Sequence, residues 1–230
     1  LSAEVMLKTI KENKITMITA VPRLFEMFHR SIMSKIEKVF VAKAMLGIMK
    51  FLYKIPFNKL IFGRVKVPYG KVDAIPLTRK VFKKIHDEFG GNIKVFISGG
   101  AKLNPQIIKD FMGMGITMIE GYGLTETSPM VTYHPFDDLH LGSVGKVFEQ
   151  MEVKIDTDGE ILFKGPNVMK GYWEKPEDTK NAFDENGFFK TGDLGFIDKN
   201  RFLYITGRKK DLIILANGKN VRPDVIEEKI

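Results

Sequence analysis

The sequence predicts an α/β fold: a partial parallel βαβ sheet, then a small antiparallel β-barrel or sheet, then a short α+β segment at the C-terminus. Three observations predict it. Apolar "KVFIS" at 94–98 and "TMIEGYG" from Thr117 bracket a helical stretch, which gives strand, helix, strand. From about Leu141 the pattern becomes short alternating strands around turn dipeptides, as in "MEVKIDTDGEILFKG" with Asp158-Gly159 at its centre. After Arg208, "KKDLIILANGKNVRPDVIEEKI" reads as strand, Asn-Gly turn, strand and helix.

Taken in order, residues 2 to 13 are expected to be helical, with Ser2 as N-cap and Val5, Met6 and Ile10 on one face. "ITMITAV" at 15 to 21 reads as a buried strand, and Pro22 opens a helix through His29. A Met-, Leu- and Phe-rich helix is expected over 36 to 53, then a long excursion without a clean period. Thr78 caps a helix with Val81, Phe82, Ile85 and Phe89 turned inward. Asn104 followed by Pro105 places an N-cap and a first helical residue after "KVFIS". Gly192-Asp193 and Lys199-Asn200 read as turns between late strands.

The composition excludes several classes. With 230 residues, 44% apolar and 28% charged, the chain can bury a real core. It has no cysteine, so neither a disulfide framework nor a thiolate metal site is available. No apolar run is long enough for a helical membrane span. The amphipathic N-terminus lacks both a signal-peptide core and an initiator Met, and the chain is expected to be a piece of a longer one. Much of the net charge of +8 lies in residues 35 to 84, where thirteen lysines and arginines face only Glu37 and Asp73. That stretch is either a solvated surface or a face for an anionic membrane or polyanion. No nucleic-acid-binding motif accompanies it.

The chemistry gathers on "GYGLTETSP" at 121 to 129. Gly-Tyr-Gly-x-Thr-Glu fixes five positions and would arise by chance in about one chain in ten thousand of this length. Glycines let the backbone approach a ligand. Tyr122 can stack on a purine, Thr125 can donate to a phosphate, and Glu126 can hold Mg²⁺ without a protein cage. The alternative is a turn with an ordinary glutamate. "TGDLG" at 191 to 195 offers Asp193, which can accept from two ribose hydroxyls or merely bond its own backbone. "GRKKD" at 207 to 211 offers Arg208, a donor for ribose or phosphate or a surface residue.

With "SGGA" at 98–101 beside them, "GYGLTETS", "GEILFKGPNVMKGYW", "FFKTGDLG" and "GRKKDLIILANGKNV" resemble, in this order, four sequence blocks of the adenylate-forming (AMP-binding) superfamily, and "ITAVPRLFEMF" resembles another, earlier block. "VPRLFE", the basic helical excursion, "FISGGAKL" and "ANGKNV" look most like the long-chain fatty acyl-CoA synthetase branch. The resemblance covers nearly the whole chain. It implies that Tyr122 stacks on adenine, with Gly99, Gly100 and Ala101 as the opposite wall. It implies that Thr125 contacts phosphate, Glu126 holds Mg²⁺, and Asp193 and Arg208 bind the ribose. Lys210 falls at the hinge of the family's C-terminal α+β lid, and Gly218 in the lid loop facing the thioester-forming site. The implied divisions are 1–140, part of the adenylating domain; 141–207, an antiparallel β subdomain; and 208–230, the hinge and start of the lid.

The implied activity is ATP-dependent conversion of a fatty acid to its acyl-AMP and then to acyl-CoA, with ATP, Mg²⁺ and coenzyme A required. The alternatives are a ligase that delivers the adenylate to a carrier protein and a non-catalytic nucleotide-binding module. The family's phosphate loop falls upstream of these residues and its C-terminal catalytic lysine downstream, so the 230-residue piece is expected to be inactive alone. The implied location is cytoplasmic, with peripheral membrane contact left open by the basic stretch.

Overall fold

A computed structural model describes residues 3–38, 44, 46–48, 80–135, 138, 140, 142–211, 213, 214, 220 and 221. Ser2, Thr78, Gly218 and most of the basic stretch lie outside the described residues, as does most of the helix expected over 36 to 53. The chain divides into two compact units. The first holds residues 1–120 and 135–139, and the second holds 121–134 and 140–230.

In the first unit, three parallel strands stand in the order β1-β2-β3: β1 (Met17–Ala20), β2 (Val95–Ser98) and β3 (Thr117–Glu120). Ala20, Ser98 and Glu120 are in register, so the chain leaves all three strands from one carboxyl edge. Such an edge is where open α/β sheets collect their ligands. The helices are α1 (Ala3–Glu12), α2 (Pro22–Ile36), α3 (Lys83–Glu88) and α4 (Pro105–Gly113). Asn104 caps α4 as expected, its Oδ1 accepting from Gln106 N at 2.8 Å with Pro105 at the first position.

Phe25, Phe28, Phe89, Phe96 and Phe111 fill the core with ring contacts of 5.1 to 6.3 Å. A partly buried pair, His29 Nε2 with buried Asp110 Oδ2 at 2.7 Å, ties α2 to α4. Leu103 N donates to Glu120 Oε1 at 3.1 Å and pins the end of the Gly99 loop to β3. Burial pushes that carboxyl above the usual range, against the Leu103 N–H and Lys102.

Two expectations change here. Helix α2 runs on to Ile36, because Ile32 and Ile36 extend the buried face begun by Phe25 and Phe28. Strand β1 is not buried: it is the edge of the described sheet, and Met17 is 54% exposed. Val5 is exposed, while Ile10 does enter the core. Of the basic residues described, Lys35 and Lys83 pair with Glu88 and Asp87 on the surface, at 2.7 and 2.6 Å. Pairs of that kind contribute about 0–1 kcal/mol.

The second unit is antiparallel. Strands β4 (Thr132–Tyr133) and β5 (Lys146–Val147) pair with each other. Strands β6 (Glu152–Ile155), β7 (Glu160–Lys164), β8 (Phe189–Ile197) and β9 (Leu203–Arg208) form a sheet in that order. Among the described residues no pairing of β6 with β9 closes this sheet into a barrel. The Asp158-Gly159 hairpin stands as expected, with Glu160 N donating to Asp158 Oδ1 at 3.0 Å.

Gly192-Asp193, by contrast, is no turn. Both residues lie inside the nine-residue β8, where Gly192 takes φ +73° and the register shifts against both neighbours. Glycine at positive φ inside a strand marks a bulge rather than a reversal. A helix absent from the expectations, α5 (Pro176–Ala182), follows β7 with Pro176 at its start and Glu177 and Asp178 in its first turn. The last described elements are a 3-10 turn, Lys209–Asp211, and a short antiparallel pair, β10 (Ile213–Ile214) with β11 (Asn220–Val221).

His134 is buried in this unit beside Phe202. Burial pushes its imidazole down to about 4 from an ordinary 6.5, more than the Ser143 backbone raises it. The unfolded chain takes up this proton below about pH 6.5, while the folded chain stays neutral until near pH 4. Stability is therefore full above that window and falls as the pH drops through it, at about 1.4 kcal/mol per pH unit. Urea unfolding at pH 7 and pH 5 is expected to show a loss of about 2 kcal/mol that His134→Leu removes. An unchanged pH slope in the variant would count against this account.

Candidate nucleotide-binding site

The candidate residues of the second unit sit on the loop after β3 and on the paired strands β8 and β9. The loop is held by its own backbone. Val131 N donates to Tyr122 O at 2.9 Å, and Tyr122 N donates to Thr132 Oγ1 at 3.1 Å. Between these bonds lies a 3-10 turn, Thr125–Thr127, closed by Ser128 in the left-handed region. Thr127 is fully buried, and its hydroxyl accepts from Leu124 N at 2.9 Å. The two threonines thus have different jobs: Thr127 builds the turn, and Thr125 stands exposed at its start. At Gly123 the chain crosses itself, since a Cβ there would fall 1.6 Å from Pro129 O. Only glycine permits that approach.

Asp193 and Arg208 face each other across β8 and β9. The Arg208 Nε lies 2.9 Å from Asp193 Oδ1, and the Tyr122 hydroxyl donates to Asp193 Oδ2 at 2.6 Å. Asp193 is only 3% exposed. Its backbone N–H donates to Thr191 Oγ1 at 3.0 Å, and the Thr191 hydroxyl bonds on to Ile161 O at 2.7 Å. Burial, and then the adjacent Asp193 carboxylate, push the Tyr122 phenol far above the usual tyrosine range. The phenol therefore stays a donor at any physiological pH, which fixes the ring. On one side that ring packs against Phe163, with centroids 6.2 Å apart. Three residues singled out separately in the sequence are one hydrogen-bonded cluster.

Glu126 belongs to a second cluster. Its backbone carbonyl accepts from Met169 N at 2.7 Å, and its Oε1 accepts from the Tyr172 hydroxyl at 3.0 Å. Asn167 Nδ2 bonds Thr127 O and Met130 O at 2.9 and 2.7 Å. The stretch 165–172 is thus a brace under the loop, a role that no local pattern had given to Asn167, Met169 or Tyr172. Among the described residues no three or more His, Asp or Glu side chains form a cage for a metal. A single carboxylate fits Mg²⁺ only in its usual mode, shared with waters and substrate phosphates.

Gly99, Gly100 and Ala101 lie in the first unit, at the carboxyl end of β2, where Gly100 takes φ +84°. Lys210 is exposed in the 3-10 turn after β9, one residue beyond Lys209. Lys209 Nζ lies 2.5 Å from Asp158 Oδ2 and 2.8 Å from Glu160 Oε2. Asp158 and then Glu160 hold that ammonium above the usual lysine range. Buried Glu160 also accepts from Gly192 N at 2.9 Å, beside Asp193. Lys209 is thus tied to the sheet, a point that "GRKKD" alone did not reveal.

The family profile described as AMP-binding enzyme matches residues 1–173. The chain belongs to the AMP-binding enzyme family. It is 45% identical over 152 residues to a long-chain-fatty-acid–CoA ligase, FadD15, of Mycobacterium bovis, covering 66% of this chain and 25% of the relative. It is 32% identical over 237 residues to the long-chain-fatty-acid–CoA ligase heimdall of Drosophila melanogaster, covering 98% and 34%. The chain thus spans about a quarter to a third of the length of these curated relatives.

Among solved structures it resembles the o-succinylbenzoate CoA synthetase MenE of Bacillus subtilis in complex with the acyl-adenylate intermediate OSB-AMP. The TM-score is 0.65 at 26% identity, over 99% of this chain and 38% of that one. ATP-bound MatB of Rhodopseudomonas palustris matches with a TM-score of 0.63 at 28% identity, over 99% and 37%.

Proposed function

We propose that the protein activates a fatty carboxylate with ATP and passes the acyl group to coenzyme A. The observation that carries the reading is the Tyr122–Asp193–Arg208 cluster, which holds an aromatic face, a carboxylate and a guanidinium in one fixed arrangement. In this reading adenine lies on the Tyr122 ring. The free lone pairs of the Asp193 carboxylate accept from the ribose hydroxyls, and the Arg208 nitrogens not facing Asp193 donate to the ribose. Thr125 donates to phosphate. Glu126 would hold Mg²⁺, which supplies charge neutralisation on the phosphates when bound.

A carboxylate is a poor electrophile, and this explains the use of ATP. One of its oxygens attacks the α-phosphorus, the bond to pyrophosphate breaks, and a mixed anhydride with AMP forms. The thiol sulfur of coenzyme A then bonds to the acyl carbon, the carbon–oxygen bond to AMP breaks, and the thiol proton passes to solvent. The chain's own residues contribute position and fixed charge rather than covalent chemistry. Residues 1–140 serve in the adenylating domain and 141–207 as its antiparallel subdomain. Residues 208–230 supply the hinge at Lys210 and the lid loop at Gly218. The clamped Lys209 supports a pivot at the next residue.

ATP–pyrophosphate exchange by the full-length protein across a panel of carboxylic acids tests the reading. Exchange driven by long-chain acids is expected. Exchange with no acid, alongside intact AMP binding, would leave a nucleotide-binding module instead. A second acceptor is favoured by one relative, a long-chain-fatty-acid–[acyl-carrier-protein] ligase of Arabidopsis thaliana, 39% identical over 169 residues, covering 64% of this chain and 23% of the relative. Acyl transfer to a carrier protein but not to coenzyme A would decide for it. Glu126→Gln is expected to slow adenylation about a hundredfold while AMP affinity stays nearly unchanged, since the amide keeps the shape but not the charge. Equal losses in both would make Glu126 a structural residue.

A further inference from the structure

We infer that Tyr172 is a positioning residue for Glu126, its phenol holding one carboxylate oxygen so that the other is left to the metal–nucleotide substrate. This rests on the reading of Glu126 given above. Tyr172 and Glu126 are 46 residues apart in the chain, and the Tyr172 hydroxyl donates to Glu126 Oε1 at 3.0 Å. The donor is itself held from behind. Tyr172 N donates to Thr179 Oγ1 at 2.9 Å, and the Thr179 hydroxyl donates to Lys175 O at 2.8 Å, which fixes Tyr172 to the first turns of α5. The acceptor is held as well, because Met169 N bonds the Glu126 carbonyl at 2.7 Å. Both ends of the contact are anchored by backbone bonds independent of it.

Geometry of this kind orients a side chain that the loop leaves with several rotamers. A glutamate on an exposed 3-10 turn loses rotamer freedom when it binds a cation. A phenol that already fixes one oxygen removes part of that cost before the substrate arrives. A carboxylate that bonds a neutral hydroxyl through one oxygen keeps its net charge, shared over both oxygens, and leaves the second oxygen open to a cation. Partners that orient a metal-holding side chain commonly change metal affinity by about 10–100-fold.

The test uses Mn²⁺ as probe, followed by its electron paramagnetic resonance in titrations of the full-length protein with ATP and, separately, by AMP calorimetry without metal. Tyr172→Phe keeps the ring and removes only the hydroxyl. It is expected to weaken Mn²⁺ binding in the protein–ATP complex about tenfold while leaving metal-free AMP affinity and the melting temperature unchanged. Glu126→Gln is the reference arm, expected to lose Mn²⁺ binding beyond that of free ATP.

If Glu126→Gln keeps wild-type Mn²⁺ binding, the assignment of metal to Glu126 fails and the inference goes with it. If Glu126→Gln loses it and Tyr172→Phe does not, the inference alone is overturned. Equal weakening of AMP and Mn²⁺–ATP in Tyr172→Phe would also overturn it, because the hydroxyl would then merely brace the loop. Thr179→Val, which removes the bond behind Tyr172 N, is expected to reproduce the selective Mn²⁺ loss in smaller measure. A loss spread over AMP as well would count against the chain of support.

Discussion

Asp193→Ala is expected to weaken AMP and ATP alike by roughly two to four orders of magnitude. The carboxylate is proposed to accept from both ribose hydroxyls, and each charge-assisted bond contributes about 1.5–3 kcal/mol. The substitution also strips two donors inside the protein, the Tyr122 hydroxyl at 2.6 Å and the Arg208 Nε at 2.9 Å. The half-exposed arginine can turn to water, so its loss costs little. The more buried phenol cannot, and stability should fall by about 1–3 kcal/mol. Asp193→Asn should not rescue binding, because one amide oxygen cannot accept from both donors and its NH₂ faces donors. Calorimetry with each nucleotide, alongside thermal melts, reads both effects. An unchanged dissociation constant for AMP would remove Asp193 from the nucleotide site.

Gly123→Ala is expected to be as damaging for a different reason. The new Cβ would sit 1.6 Å from Pro129 O, 2.6 Å from Pro129 C and 2.8 Å from Met130 Cα. All three are backbone atoms, so no rotamer change makes room. The loop must open, and the bond from Val131 N to Tyr122 O is the first to go. A cost of about 3 kcal/mol or more is expected, together with loss of AMP binding as Tyr122 leaves Asp193. Gly47→Ala is the control: among the described residues nothing lies within 4 Å of a Cβ there, and Gly47 itself is exposed and helical. That change should be neutral or stabilising by up to about 1 kcal/mol. Melting both variants decides the matter, and a Gly123→Ala protein as stable as the control would show that the loop is not built this way.

Some elements were legible because the signal is local. Asn104-Pro105 starts a helix by its own side-chain bond, and Asp158-Gly159 turns a hairpin the same way. The site loop announced itself through residue types that few other uses explain. Other signals were present but ambiguous. Gly192-Asp193 has a turn's composition, yet positive φ at a glycine serves a bulge equally well. Pro176 with two acids behind it starts a helix none of whose residues is buried, so no apolar period marks it in the sequence.

What the sequence by itself determined was the α/β character, the family and the short list of Tyr122, Thr125, Glu126, Asp193 and Arg208. What only the tertiary structure decided was which of these touch. Tyr122 and Asp193 are 71 residues apart, and no window of sequence contains both. The meeting of Asp193 with Arg208 depends on one irregularity. Between Leu194 and Gly195 the pairing of β8 with β9 slips by a residue, so that Gly195 faces Ile205 while Leu194 faces Gly207. Strand side chains alternate between faces, and a ladder continued without that slip would put a different residue opposite Asp193. Register is settled by long-range pairing and by which faces are buried, and neither is written in the residues that carry the chemistry.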